Sequence, residues 1–275
     1  MKKRLPLGLV VEGNSTSSSI LRLPTVSADL GPVKSGAIRI ARRFSNFLRA
    51  GYAVAQYEEL EAARLILLHV PDRAVPRVIQ ELCSSDLPFK ELSFALCESW
   101  LDVDVLRPLA DRGATVTTVV PVPSSRHKWF IVEGQLTATR QVRRFMERND
   151  ARTFEIRPGT KPLYFAADLL ATALPIPLLF DAQTALRASG ISGNQLYALL
   201  DEMVQEMLRS FVNGARVTWG GPLVQCSEET AGSYLTALRE SHPQIAEAVH
   251  EQLTWARRKV LKHKRGSENG GKAKF

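Results

Sequence analysis

Short apolar runs alternate with amphipathic segments through roughly the first 150 residues. The runs Leu7–Val11 and Leu65–Val70 are continuous, and a Pro-Asp pair follows the second, as is typical of strands buried on both faces of a parallel sheet. Ile38–Ala50 repeats its apolar residues with the period of a helix. Further strands are predicted at Leu30–Ser35, Leu92–Leu96, Thr115–Val120 and Trp129–Glu133, and further helices at Val75–Leu82, Val103–Asp111 and Thr137–Arg148. This alternation predicts an α/β domain with a doubly wound parallel sheet.

Beyond about Pro158 the pattern is helical, and strand-like runs are nearly absent. Helices are predicted at Lys161–Ala173, Leu178–Ser189, Ser192–Phe211, Glu228–Ser241 and Pro243–Lys262. We therefore predict an α/β domain over residues 1–157, an all-helical domain over 158–262 and a basic, disordered tail over 263–275.

One stretch of the helical part, Pro162–Phe180, is long and apolar enough to raise the question of a membrane span. Asp168 falls in its middle, and Pro175 and Pro177 interrupt it. We expect no membrane here, but a helix buried in a helical core or in a dimer interface.

Composition adds limits on the class of protein. The composition, with 45% hydrophobic and 23% charged residues, is typical of a soluble globular protein. The formal charge of +8 is concentrated at the two ends, which favours a solubilising tail over a nucleic-acid or membrane-surface contact. Cys83, Cys97 and Cys226 lack metal-type spacing, and no signal-peptide pattern is apparent, so we expect a cytoplasmic protein that binds no specific nucleic acid.

The segment Leu7–Ile20, LGLVVEGNSTSSSI, has the layout of a first strand and a phosphate-binding turn. The fingerprint G-x-G-x-x-G uses its glycines for a tight turn and for close approach to a pyrophosphate, but its three positions here read Glu12, Asn14 and Ser17. Backbone N–H groups and hydroxyls could still hold a phosphate. The candidate residues are Gly13, Asn14, Ser15, Thr16 and Ser17. A polar strand-to-helix turn without a ligand is the alternative.

A second candidate group follows the second predicted strand, where dinucleotide sites contact the ribose. Lys34, Ser35 and Arg39 stand there with no carboxylate beside them, which favours NADP over NAD. A solvated basic helix face is the alternative. His69 ends a buried strand and is interpreted as a core residue, whereas Lys161, at the domain junction, is a candidate proton donor or orienting cation.

Five segments occur in an order and spacing that resemble a known family. They are LHVPD (Leu68–Asp72), VDVLRPLADRGATV (Val103–Val116), KPLYFAADLLA (Lys161–Ala171), LRASGI (Leu186–Ile191) and WGGPL (Trp219–Leu223). Over roughly residues 5–255 the chain resembles bacterial Rossmann-like proteins with a C-terminal helical domain of uncharacterised function. These are relatives of the β-hydroxyacid and 6-phosphogluconate dehydrogenase superfamily and of pyrroline-carboxylate reductase.

The resemblance implies an NADP-type site in the first domain, a substrate cleft between the domains and a helical domain that forms a homodimer. It places the phosphate loop at Gly13–Ser17, the 2′-phosphate contact at Lys34, the nicotinamide side at Val70 and Pro71, and a catalytic lysine at Lys161.

The chain departs from the family pattern at several polar positions. The Lys-x-x-Tyr-His motif continues with Phe165, a later asparagine is Ala173, and an Arg-Gly-Asp motif reads Gln225 to Ser227. A His-Pro pair reads Val120-Pro121. Two hypotheses follow from this pattern. The first is an NADP-dependent oxidoreductase-like protein acting on a small polar substrate. The second is a catalytically inactive homodimer that keeps the scaffold to bind a ligand or a partner.

Overall fold

The computed structural model describes residues 6–13, 18–123, 127–213 and 227–255. The chain forms two compact units, Met1–Ala167 and Asp168–Phe275. The first unit extends past the predicted boundary at 157 because the first turns of the following helix pack on it, with Tyr164 stacked on Trp100. The predicted tail over 263–275 lies outside the described residues.

An eight-stranded sheet forms the first unit, in the order β3-β2-β1-β4-β5-β6-β7-β8. Its strands are β1 (Leu7–Val11), β2 (Leu30–Lys34), β3 (Tyr52–Ala53), β4 (Leu65–His69), β5 (Ser93–Cys97), β6 (Thr115–Pro121), β7 (Trp129–Gly134) and β8 (Arg152–Glu155). All neighbouring pairs are parallel except β6 and β7. The prediction of a doubly wound, mostly parallel sheet is therefore confirmed.

Five α-helices connect these strands. They are α1 (Pro24–Asp29), α2 (Ile38–Leu48), α3 (Val75–Cys83), α4 (Arg107–Asp111) and α5 (Leu136–Glu147). Single 3₁₀ turns occur at Glu58–Ala62, Asp72–Ala74, Phe89–Glu91 and Val103–Leu106. The last of these occupies the first half of a predicted helix, because Pro108 starts the α-helix proper in its first turn.

The core lies on both faces of the sheet. In β4, Leu65 and Leu67 join one buried cluster, and Ile66 and Leu68 join the other. Successive strand residues point to opposite faces, so a strand covered on both sides must be apolar at every position. In β1, β4 and β5, polar side chains are thereby confined to the strand ends.

The second unit is helical. Helix α6 (Lys161–Asp168) leads into it through a π-helical turn at Leu169–Ala173. It continues with α7 (Pro175–Ala188), α8 (Gly193–Val212) and α9 (Glu228–Ser241), and residues 243–255 are also helical. The described part of the chain confirms the predicted helical character of this region.

In the helical stretch from Lys161 to Ala188, several large apolar side chains are left exposed by the described part of the chain. Leu163 is 70% exposed and Phe180 is 62% exposed, so burial in a helical core is wrong for these side chains. By length and composition alone this stretch could also cross a membrane, with a mean hydropathy of 1.7 over its most apolar window. The interface with a second copy stays a prediction.

Gly134 tests how tightly β6 and β7 pack. Its φ is +149°, and a Cβ there would lie 2.4 Å from the Val116 carbonyl oxygen. Gly134→Ala is expected to lower the free energy of unfolding by about 2–3 kcal/mol, because backbone on the neighbouring strand cannot move aside cheaply. Urea unfolding followed by circular dichroism measures it. Gly31→Ala, where the nearest atom is 3.4 Å away and φ is ordinary, is the matched control; equal losses in both variants would contradict this account.

Candidate functional site

The strand order reverses between β1 and β4, and their carboxyl ends meet at one point of the sheet edge. Open α/β sheets bind ligands at such a point, just outside the strand ends. The Glu12 N–H donates to the His69 carbonyl across the two strands at 3.4 Å. Gly13 follows with φ +80°, and a Cβ there would lie 3.8 Å from Pro71. The sheet thus brings Gly13, Val70 and Pro71 together, with Val70 buried and Pro71 exposed, and their predicted cofactor contacts stay a prediction.

A carboxylate just past the end of β5 lies at this edge of the sheet. Glu98 directly follows β5 and has φ +58°, a left-handed conformation that a residue with a long side chain rarely adopts. Its Oε1 accepts hydrogen bonds from the Ser18 hydroxyl at 3.0 Å, the Ser19 N–H at 2.6 Å and the Ile20 N–H at 3.2 Å. Its Oε2 lies 3.9 Å from Nδ1 of His69. Glu98 therefore ties the segment after the candidate phosphate loop to the end of β5.

The segment after the loop forms turns where a long helix would begin in a dinucleotide-binding domain. The Leu21 N–H donates to the Ser18 hydroxyl at 3.0 Å, and α1, only six residues long, begins at Pro24. Asn14, Ser15, Thr16 and Ser17 lie outside the described residues, so their predicted role stays a prediction. The N–H groups of Ser19, Ile20 and Leu21, which follow this loop, donate to the side chains of Glu98 and Ser18.

The candidate residues at the end of β2 make their described polar contacts within the chain. The buried Lys34 ammonium donates to the Ser35 carbonyl at 2.7 Å and lies 4.4 Å from the centre of the Tyr57 ring. Glu12 Oε1 accepts the Gly36 N–H at 2.8 Å. Ser35 is buried beside them, whereas Arg39 is exposed on the first turn of α2. The structure thus brings Lys34 and Ser35 together but turns the Lys34 charge inward.

An ion network extends this group to α3. Arg77 contacts Glu12 Oε2 through Nη2 at 3.3 Å and Glu81 Oε1 through Nη1 at 2.6 Å. The Tyr57 hydroxyl donates to Glu81 Oε2 at 2.8 Å. Burial and the Glu81 carboxylate raise the pKa of Tyr57 well above its ordinary value. The Tyr57 phenol is therefore a fixed, neutral donor.

A cavity of about 290 Å³ opens at the carboxyl ends of β5 and β6. Its lining includes two charged side chains, Glu98 and Arg22, and the indole of Trp100. The remaining lining residues are Ser18, Ser19, Val120, Pro121 and Pro123. Trp100 is held from α6 by Tyr164, stacked at 5.8 Å, and by Phe165, edge-on at 5.1 Å. The lining of the cavity therefore combines a carboxylate with an aromatic ring.

Lys161 is buried, with 2% of its surface exposed, and its ammonium donates to the Leu101 carbonyl at 2.5 Å. Burial lowers the pKa of Lys161 to about 8, against the opposing attraction of Glu133, Asp102 and Asp72. Glu133 is fully buried and accepts the Gly159 N–H at 2.8 Å, and burial raises its pKa. The Lys161 ammonium thus holds the loop that carries Trp100, and its predicted catalytic role stays a prediction.

Three of the described N–H donors near the predicted nucleotide site are already bound to carboxylates of the chain. The N–H donors of Ser19 and Ile20 bind Glu98, and the N–H of Gly36 binds Glu12. A phosphate brought to either place would face a carboxylate of its own charge. We therefore derive no chemical step through a nicotinamide.

Glu98, Trp100 and Glu133 were missing from the sequence-based site. Glu98 and Trp100 follow the strand Leu92–Leu96, and the rule that ligands bind at carboxyl strand ends could have drawn attention to them. The interaction of Glu98 with Ser18, 80 residues away in sequence, had no sequence signal.

Comparison with known proteins agrees with this architecture. Residues 128–253 match a family described as a domain of unknown function, DUF2520. No curated protein sequence matches the chain. Three solved structures share the fold at low sequence identity. The first, a Bacteroides fragilis protein described as an NADP oxidoreductase, has a TM-score of 0.71 at 14% identity, covering 92% of this chain and 97% of that one.

The second is an imine reductase from Aspergillus terreus, solved with NADPH4 and dibenz[c,e]azepine, with a TM-score of 0.67 at 15% identity and 96% coverage of both chains. The third is a pyrroline-5-carboxylate reductase from Coxiella burnetii, with a TM-score of 0.57 at 12% identity, covering 91% of this chain and 97% of that one. The chain therefore has a Rossmann-like fold with a helical C-terminal part, as the resemblance implied. The motif residues Trp219–Leu223 and Gln225 lie outside the described residues.

The pKa of Lys161 predicts a slope in stability against pH. Between about pH 8 and pH 10.5 the unfolded chain holds a proton on this lysine that the folded chain has released. The free energy of unfolding contributed by Lys161 therefore rises with pH through that window and is constant below it. Chemical denaturation from pH 7 to pH 10.5 should show this rise in the wild type and lose it in Lys161→Met. An identical pH dependence in both proteins would refute the assignment.

The pair of Lys161 and Glu133 predicts non-additive losses. Lys161→Met alone leaves Glu133 buried without its cation and is expected to lower the free energy of unfolding by about 3 kcal/mol. Lys161→Met combined with Glu133→Gln should recover at least about 1 kcal/mol of that loss, because the uncompensated charge is gone. A double-mutant cycle in urea measures the coupling, and simple additivity would show that the two groups do not interact.

Proposed function

We propose that this protein binds a small molecule without phosphate groups at the carboxyl edge of an oxidoreductase-like scaffold, and that it does not transfer hydride. The observation that carries the proposal is the Glu98 carboxylate on the donors of Ser18, Ser19 and Ile20. In a dinucleotide-binding domain the N–H groups at the start of the first helix face phosphate. In this chain the donors of Ser18, Ser19 and Ile20 are satisfied internally.

The cavity beside Glu98 supports a ligand class. At about 290 Å³ it is at the small end of ligand pockets. Three donors fix Glu98 Oε1, and Oε2 is left directed toward His69. A cavity lined by both a carboxylate and an indole suits a protonated amine carried on a flat ring, through an ion pair and a contact with the indole. The proposed ligand is a small ring-bearing amine, with Arg22 at the edge to hold a second, anionic group.

A second candidate is the predicted NADP-dependent oxidoreductase acting on a small polar substrate. It is favoured by the strand order, by the left-handed Gly13 and by the fold shared with an NADPH4-containing imine reductase. In this candidate the loop Gly13–Ser17 and Lys34 would hold the cofactor, and Lys161 would be the proton donor. Cytoplasmic location accompanies both candidates as a proposal.

Ligand titration separates the two candidates. A ligand that binds only the folded state stabilises it by about 2.7 kcal/mol at one hundred times its Kd, so thermal melting detects weak binding. The wild type should melt unchanged with NADPH or NADH at about 1 mM, and higher with phenethylamine at about 10 mM.

The matched compound 3-phenylpropionate keeps the ring and reverses the charge, and it should have no effect. Glu98→Gln should weaken phenethylamine binding about tenfold or more by removing the ion pair. A clear shift with either nucleotide would overturn the proposal in favour of the oxidoreductase. Equal binding of the amine and the acid would remove Glu98 from recognition.

We also propose that the helical unit forms a homodimer. Its described side chains include large exposed apolar groups, among them Phe180, Met207 and Phe211, which are 62%, 61% and 72% exposed. Clusters of large exposed apolar side chains are typical of interaction faces. Helix α8 carries two of the three on one side, four residues apart.

Light scattering tests the homodimer. The wild type should have twice the chain mass, and Phe211→Lys should shift it toward the monomer by placing a charge in the interface. Gln205→Lys is the control, because Gln205 is exposed and bonded to Asp201 within its own helix. A wild-type monomer would contradict the homodimer, and sedimentation with membranes until detergent is added would favour a membrane contact of the apolar helix instead.

A further inference from the structure

Two carboxylates stand at opposite sides of the same sheet edge, and each binds donors on a neighbouring loop. Glu98 ends β5 and holds Ser18, Ser19 and Ile20 at 2.6–3.2 Å. Glu12 ends β1 and holds the Gly36 N–H, after β2, at 2.8 Å. The two sets of donors belong to different loops, so the two observations are independent.

The Glu98 side is built to keep its carboxylate in place. Glu98 is in the left-handed region, where a residue with a side chain is strained. The side chain is only 17% exposed and makes three hydrogen bonds to one oxygen. A strained backbone held by a satisfied side chain indicates a position that function rather than local folding requires.

On the Glu12 side, the cations that could bind a 2′-phosphate already have partners within the chain. Arg77 is shared between Glu12 and Glu81, and the Glu81 carboxylate also accepts from Tyr57. Lys34 lies over the Tyr57 ring and is bound to its neighbouring carbonyl. Gly36 fits closely against this network, because a Cβ there would lie 3.0 Å from Glu12 Oε1.

We infer that Glu12 and Glu98 are specificity-determining residues that exclude phosphate-bearing ligands from the edge of the sheet. Each carboxylate takes the donors that a ribose or a phosphate would use, and each repels a phosphate by its charge. The inference rests on the proposed function, since it explains how a dinucleotide-type scaffold is reserved for a ligand without phosphate. Neutralising both carboxylates should therefore create nucleotide affinity that the wild type lacks.

The test is a gain of binding. Glu12→Gln, Glu98→Gln and the double variant keep an amide oxygen for the N–H donors and lose the charge. Calorimetry with NADPH and with inorganic pyrophosphate should show affinities at least about tenfold higher in the double variant than in the wild type, with smaller gains in each single variant. Glu155→Gln is the control. Glu155 lies on β8, away from both loops, and its carboxylate pairs with Arg143 of α5.

The outcomes are separate for the two proposals. A folded double variant, judged by circular dichroism and melting, that binds both probes no better than the wild type overturns the inference. If the double variant does not fold, the two single variants decide by the same comparison. An equal gain in Glu155→Gln would reduce the effect to net charge and also overturn the inference. Wild-type binding of NADPH overturns the proposed function, whether or not the variants gain affinity.

Discussion

Burial of the central strands on both faces is the constraint on which the rest of this structure depends. Because β1, β4 and β5 are covered on each side, the side chains in the middle of these strands are apolar. Polar side chains from these strands can reach solvent only beyond the last strand residue. Glu12 and Glu98 stand at that position on β1 and β5, and His69 is the last residue of β4. The fold therefore decides where a site can be, and the residues just past the strand ends decide what it can bind.

The same edge supports dehydrogenase-type sites in proteins of this architecture, but the local electrostatics differ here. A dinucleotide needs unshared N–H donors and positive potential where its phosphates lie. The described loops present carboxylates at these points, and their nearest cations, Lys34 and Arg77, are already bound within the chain. Fold likeness and site chemistry thus lead to different conclusions, and function follows the site.

Sequence patterns were sufficient for the sheet because its physics is local and repetitive. The continuous run Leu65–Val70 and the turn residues around it predicted a two-sided strand, and the strand is there. The β3 and β8 strands were missed because they are short and lie near the sheet edge, where burial imposes little pattern. Helix α1 was not predicted, and the N–H groups of Ser19 and Leu21 before it bind the side chains of Glu98 and Ser18.

The site was less predictable because its decisive contacts connect distant parts of the chain. Lys161 was chosen from its place at a domain junction, but its environment comes from Leu101, Glu133 and the Asp residues of two other loops. Buried at 2% exposure and bonded to a carbonyl, its ammonium can reach a substrate only if that bond is broken. Its geometry is that of a residue that positions the loop carrying Trp100. The Lys161 contact with Leu101 and the Glu98 contacts with Ser18, Ser19 and Ile20 each fix a loop, and neither depends on the hydrophobic pattern by which the fold is recognised.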